Sequence, residues 1–222
     1  MLRKPTNRES WLYALANLGS SVPYQAFSAV ALFFYTDVKH LAPTTAATIM
    51  TIYAIWNALN NPLIAHFSDR STSPLGRRLA YIRFGLVPYA LAFGSIWLVP
   101  FDAADQPLAV ALWYMVSILL FEGFGTAVTV VGYQSLLAEM FPDYESRVKV
   151  SVRINTVQTI GLFIGSALPP IIAGLYGYHV MGIVFTAIIL VAYAFGMRGM
   201  YEQPNSRPST LSFLAALRNI VS

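Results

Sequence analysis

The sequence has no cysteine, which excludes disulfides and thiolate metal sites. It is also poor in charge. Asp, Glu, Lys and Arg make up 11% of 222 residues, against roughly 25% in soluble domains. There are three histidines, and no nucleotide loop, metal-ligand spacing or triad motif accompanies them. The sequence therefore points to no enzyme and no cofactor. The formal charge of +4 does not mark a nucleic-acid binder, because the bases sit in short loops between apolar runs and not along one polar face. The first ten residues, MLRKPTNRES, lack the short apolar core and small-residue cleavage site of a signal peptide. The first apolar run is thus expected to stay in the mature protein.

What is present is apolar length: 56% of the residues are hydrophobic. A helix needs ~20 apolar residues to cross a ~30 Å hydrocarbon core. Six runs qualify, at 11–35, 44–67, 79–100, 107–138, 155–175 and 180–197. Only helices and closed barrels span lipid, and runs such as GIVFTAIILVAYAFGM lack the alternation of a barrel strand. The expected fold is an all-α membrane protein. Residues 1–10 form a polar terminus, 11–200 a six-helix domain, and 201–222 a linker that ends in a renewed apolar pattern. Of 14 bases only Lys39 falls in the loops on the other side from the rest. The positive-inside rule then puts both termini in the cytoplasm, in what reads as a bacterial plasma (inner) membrane.

Several side chains stand out against this background. Glu122 is the one acid well inside an apolar run, 17 residues from both Asp105 and Glu139. An ionised carboxylate at mid-membrane costs roughly 2.5–3.5 kcal/mol or more. It must face a polar cavity, pair with a base, or hold a proton, so it is a candidate for a proton or substrate pathway. Asn57, Asn60 and Asn61 are spaced i, i+3, i+4, which places Asn57 and Asn61 on one helix face. They suit either a hydroxylated ligand or cross-helix packing worth ~0.6–2 kcal/mol each. Tyr133, Gln134 and Gln158 are further cavity candidates. Asp69, at the end of the second run, faces Arg77 and Arg78 at the start of the third across a short turn. This is a charge clamp as well as a topology signal.

Four segments also resemble a known family, in order and spacing. They are FFYTDV at 33–38, WNALNNP at 56–62, GRR at 76–78, and VGYQSLLAEM with PDYESR at 131–147. Together they resemble the N-terminal half of the glycoside–pentoside–hexuronide:cation symporters, the melibiose-permease-like branch of the major facilitator superfamily. The resemblance implies one half of a twelve-helix fold built on a 3+3 inverted repeat. It implies a sugar, glycoside or related organic solute moved by alternating access, and a second six-helix half or a second copy as partner. It also implies acids where this chain carries Asn57, Asn61 and Val130, and a sugar-contacting acid at Ser21. These departures point to proton coupling or uncoupled transport in place of sodium symport. A six-helix membrane protein without transport activity, a truncated relic or an interaction partner, is the alternative.

Overall fold

The computed structural model describes residues 3–69 and 78–203, without the side chains of residues 61–63 and 65–69. The described residues fold as helices joined by short turns. In order these are α1 (Asn7–Leu15), α2 (Leu18–Phe33) with a π-helical extension (Phe34–Val38), α3 (Pro43–Asp69) and α4 (Leu79–Trp97). Then come α5 (Pro107–Thr126), a π-helical stretch (Ala127–Gln134), α6 (Ser135–Met140), α7 (Tyr144–Tyr176) and α8 (Tyr178–Met197).

Local chemistry sets several of the ends. Thr6 and Glu9 form a capping box at the start of α1. The Thr6 hydroxyl accepts from the Glu9 amide and the Glu9 carboxylate accepts from the Thr6 amide, which satisfies two donors that the first turn leaves free. Pro107 opens α5, where its missing amide costs nothing. Asp143 caps α7 by accepting from the amide and hydroxyl of Ser146. These bonds hold its carboxyl below the usual carboxylate range. Gly177, at a φ of 86°, ends α7 and lets α8 begin one residue later.

Four continuous runs among the described residues are long and apolar enough to cross a membrane: Leu79–Trp97, Pro107–Met140, Tyr144–Tyr176 and Tyr178–Met197. Alongside them stand α3 and α2 with its π extension. Aromatic rings hold the interior together. Tyr35 stacks on Tyr114 at 3.7 Å and Tyr13 on Tyr133 at 4.5 Å, while Phe121 meets Tyr24, Tyr89 and Phe93. The outer surface is also apolar, with Phe84, Leu91, Leu108 and Phe163 each about two-thirds exposed. An apolar exterior of this extent suits lipid and not water.

The contact that matters most for the site is α2 against α7. Gly161 and Gly165 lie one turn apart on α7 and face Ser21, Val22 and Gln25 of α2. A side chain at Gly165 would come within 2.6 Å of the Val22 carbonyl oxygen. The missing side chains let two backbones approach closely, as small residues do in membrane bundles.

Candidate functional site

A cavity of about 580 Å³ lies between α2, the α5–π segment and α7. Its walls are polar stripes at helical spacing. Asn17, Ser20, Ser21 and Tyr24 come from α2 and the turn before it. Glu122, Thr126 and Thr129 come from α5 and the π stretch, and Asn155, Gln158 and Thr159 from α7. The sets on α2 and α7 follow the i, i+3, i+4, i+7 rule that puts residues on one face. The stripe on α7 is exposed on the described chain and lies between the charged first turns of that helix and its apolar remainder. The side-chain oxygen of Asn17 is buried and accepts no hydrogen bond.

Glu122 is the charged member of this lining and is 4% exposed. Hydroxyls surround its carboxylate. Tyr53 of α3 donates to Oε2 at 2.8 Å, Tyr24 of α2 donates to the same oxygen at 3.2 Å, and Thr126 donates to Oε1 at 3.4 Å. Asn60 supports the group from behind. Its amide donates to the Glu122 backbone carbonyl at 3.2 Å and to the Thr126 hydroxyl at 2.8 Å. Among the described residues no basic side chain lines the cavity and no ion pair involves Glu122. The carboxylate is therefore hydrogen-bonded from three helices with no positive charge beside it.

The π stretch continues the wall that carries Glu122. A π-helix places residues out of the regular α phase and recurs at functional sites. Here it sets Thr129, Val130 and Gln134 toward the cavity. Its loosened ladder is secured from outside, since the Tyr13 hydroxyl donates to the Tyr133 carbonyl at 2.6 Å and Ser135 donates to that of Val130.

Of the residues singled out from sequence, Glu122, Gln134 and Gln158 come together in the cavity wall, as do Ser21 and Val130. Tyr133 points elsewhere, buried in its stack with Tyr13. Asn57 is half-buried and within hydrogen-bonding reach of the Tyr53 hydroxyl, one helical turn away. Asn60 is the asparagine that crosses to α5. The side chains of Asn61 and Asp69, and all of Arg77, lie outside the described residues, so the proposed Asp69 clamp does too. Arg78 pairs with Glu139 of α6 at 2.8 Å. Its amide and that of Leu79 donate to Glu202 at 2.7 Å each, which caps α4 from the segment after α8. Tyr24, Tyr53, Asn17 and Asn155 were not singled out. Counting polar residues at i, i+3, i+4 would have marked the stripes on α2 and α7. Tyr53 carries no such signal, because a tyrosine in an apolar helix reads equally as packing.

A family model described as MFS/sugar transport protein matches residues 12–222. An uncharacterized symporter of Synechocystis sp. is 28% identical over 63% of this chain and 26% of its own length. The mouse protein named sodium-dependent lysophosphatidylcholine symporter 1 is 29% identical over 68% of this chain and 29% of its own. A frog (Xenopus tropicalis) protein named as a sphingosine-1-phosphate transporter is 22% identical over 70% of this chain and 30% of its own. The matched stretch is thus under a third of each of these relatives.

Proposed function

The chain belongs to the MFS/sugar transport protein family, and on that premise we propose that it forms one six-helix half of a cation-coupled secondary transporter. Its solute is a neutral, hydroxyl-rich organic molecule such as a sugar or glycoside. The observation that carries this reading is the exposed stripe Asn155, Gln158 and Thr159 on α7, opposite buried Glu122. Polar groups left against hydrocarbon cost several kcal/mol each, so a stripe at the start of the apolar run of α7 calls for a polar cover. A second six-helix half supplies one, with the solute held between the halves near the bilayer midplane. The symporters among the relatives support cation coupling.

The lining also bears on the solute. It offers hydroxyls, amides and one carboxylate, with no basic side chain among the described residues. A phosphate would look for Arg or Lys, so this half suits a sugar better than the phosphorylated lipids named for two relatives. The base asymmetry supports cytoplasmic termini in a bacterial plasma membrane.

The test uses the full-length protein containing this chain, reconstituted in liposomes. Exchange of a labelled disaccharide is compared with exchange of labelled lysophosphatidylcholine. Disaccharide exchange is expected. Replacing both Asn155 and Gln158 by Ala should raise its half-saturation roughly five- to 150-fold, since each lost hydrogen bond is worth about 0.5–1.5 kcal/mol. Preference for the lysolipid would overturn the solute class. Exchange of neither would favour the non-transporting alternative.

A further inference from the structure

Glu122 raises a question of charge that the solute alone does not answer. A carboxylate this deep in lipid-facing helices must be neutralised in at least part of its working cycle. The groups around it do not do so. From α2 it meets Tyr24 and from α3 Tyr53, and Tyr89 of α4 stands within electrostatic reach. The cavity wall on α7 offers only neutral groups. Every titratable neighbour named here is a tyrosine.

We infer that Glu122 is the carrier of a coupled proton, and that its proton decides whether α2 and α3 stay tied to α5 through it. The inference rests on the transporter reading above. Two observations favour a proton over a metal cation. The partners are all hydroxyls that donate to the carboxylate, at 2.8 to 3.4 Å. And no group of three or more His, Asp or Glu side chains that could hold a metal ion occurs among the described residues.

The mechanical consequence follows from donor and acceptor counting. An ionised carboxylate only accepts, and its two oxygens have room for all three hydroxyls. Binding one proton turns one oxygen into an O–H group, which now donates. That oxygen can still accept, but with less room, so of two hydroxyls donating to it one must turn to accept the new hydrogen or leave. Tyr24 and Tyr53 share Oε2, so protonation there disturbs the α2 and α3 contacts together. Cavity access gives the proton a path in and out beside the solute.

The experiment reads the proton directly. Infrared difference spectra of the full-length protein in liposomes are recorded against pH, with and without sodium, for wild type and Glu122→Gln. A protonated-carboxyl band that disappears on alkalinisation, is absent in Glu122→Gln and is indifferent to sodium is the expected result. A Glu122 that stays ionised across the pH range overturns the inference, as does a band that sodium removes. In the same liposomes a pH gradient should drive disaccharide accumulation by up to ~tenfold per pH unit for one proton per solute. Glu122→Gln should reduce that ratio to about one. Gradient-driven accumulation that survives Glu122→Gln also overturns it. Loss of exchange in the wild type, with the band intact, would instead count against the transporter reading alone.

Discussion

Tyr53 donates to Glu122 at 2.8 Å and Tyr24 at 3.2 Å, so the two tyrosines should not be equivalent. A hydrogen bond to an ionised group contributes about 1.5–3 kcal/mol, whereas neutral bonds between membrane helices average about 0.6 kcal/mol. If Glu122 gains and loses a proton, the cost of Tyr53→Phe depends on pH. It should approach the larger figure in alkaline buffer and the smaller in acid. Tyr24→Phe should follow the same trend with a smaller amplitude, because its bond is longer. Thermal unfolding of both variants at two pH values measures this, and a cost for Tyr53→Phe that does not change with pH would count against proton exchange at Glu122. The residue scale also shows what the sequence hides. Glu122 was legible because an acid among apolar residues must face a polar cavity, pair with a base or hold a proton. Its partners were not, since Tyr24 and Tyr53 lie 98 and 69 positions from it. Only the fold reveals which tyrosines meet a carboxylate.

At the scale of elements, the cavity depends on how closely α2 and α7 approach, and that distance is set by Gly161 and Gly165. A β-carbon at Gly165 would meet the Val22 carbonyl and the Gln25 β-carbon, each at 2.6 Å. A backbone atom cannot move aside the way a side chain does, so the helices must part. Gly165→Ala should destabilise the protein by about 1–3 kcal/mol, and it should weaken solute exchange because Ser21, Gln25 and Gln158 line the cavity from the parted helices. The control is Gly174→Ala on the same helix, where a β-carbon would meet nothing within 4 Å and a helix-favouring alanine should be neutral or mildly stabilising. Equal effects from the two would remove the packing argument. Apolar length reads where a helix is buried in lipid, not where its hydrogen bonds begin. That is why α7 starts at Tyr144, ahead of the apolar run at 155–175. Its first turns are charged, and the signal for its start is the Asp143 cap in PDYESR. The same holds for α1, whose Thr6–Glu9 capping box precedes the first run. The π stretch left only indirect traces in the sequence, the glycines of the fourth run, because no residue type encodes a π-helix as proline encodes a kink.

For the whole molecule, the all-helical membrane fold was legible because bilayer thickness imposes run lengths that soluble proteins have little reason to repeat. What covers the exposed stripe on α7 was not, since apolar run length does not encode which face of a helix meets another body. Orientation is the property that composition addresses most directly. Thirteen of the 14 bases are grouped on one side by the reading of the runs, and loop Lys and Arg govern which side stays in the cytoplasm. Lys39, the exception, is accounted for locally: its ammonium donates to the carbonyls of Val99 and Phe101 at 2.9 Å each. It therefore ties the end of the first helix to the turn after α4, so its charge has a structural use on the far side. The prediction is that a cysteine at Ala104, in the exposed turn before α5, reacts with an impermeant maleimide added to intact cells. A cysteine at Tyr144, which is 84% exposed at the start of α7, should react only after the membrane is opened. The two sites lie at opposite ends of the α5–π–α6 run, Pro107–Met140, whose 34 residues at about 1.5 Å each exceed the hydrocarbon thickness. Reaction of both from the same side would mean that this run does not cross the membrane, and the cavity beside it could not serve as a path between the two compartments.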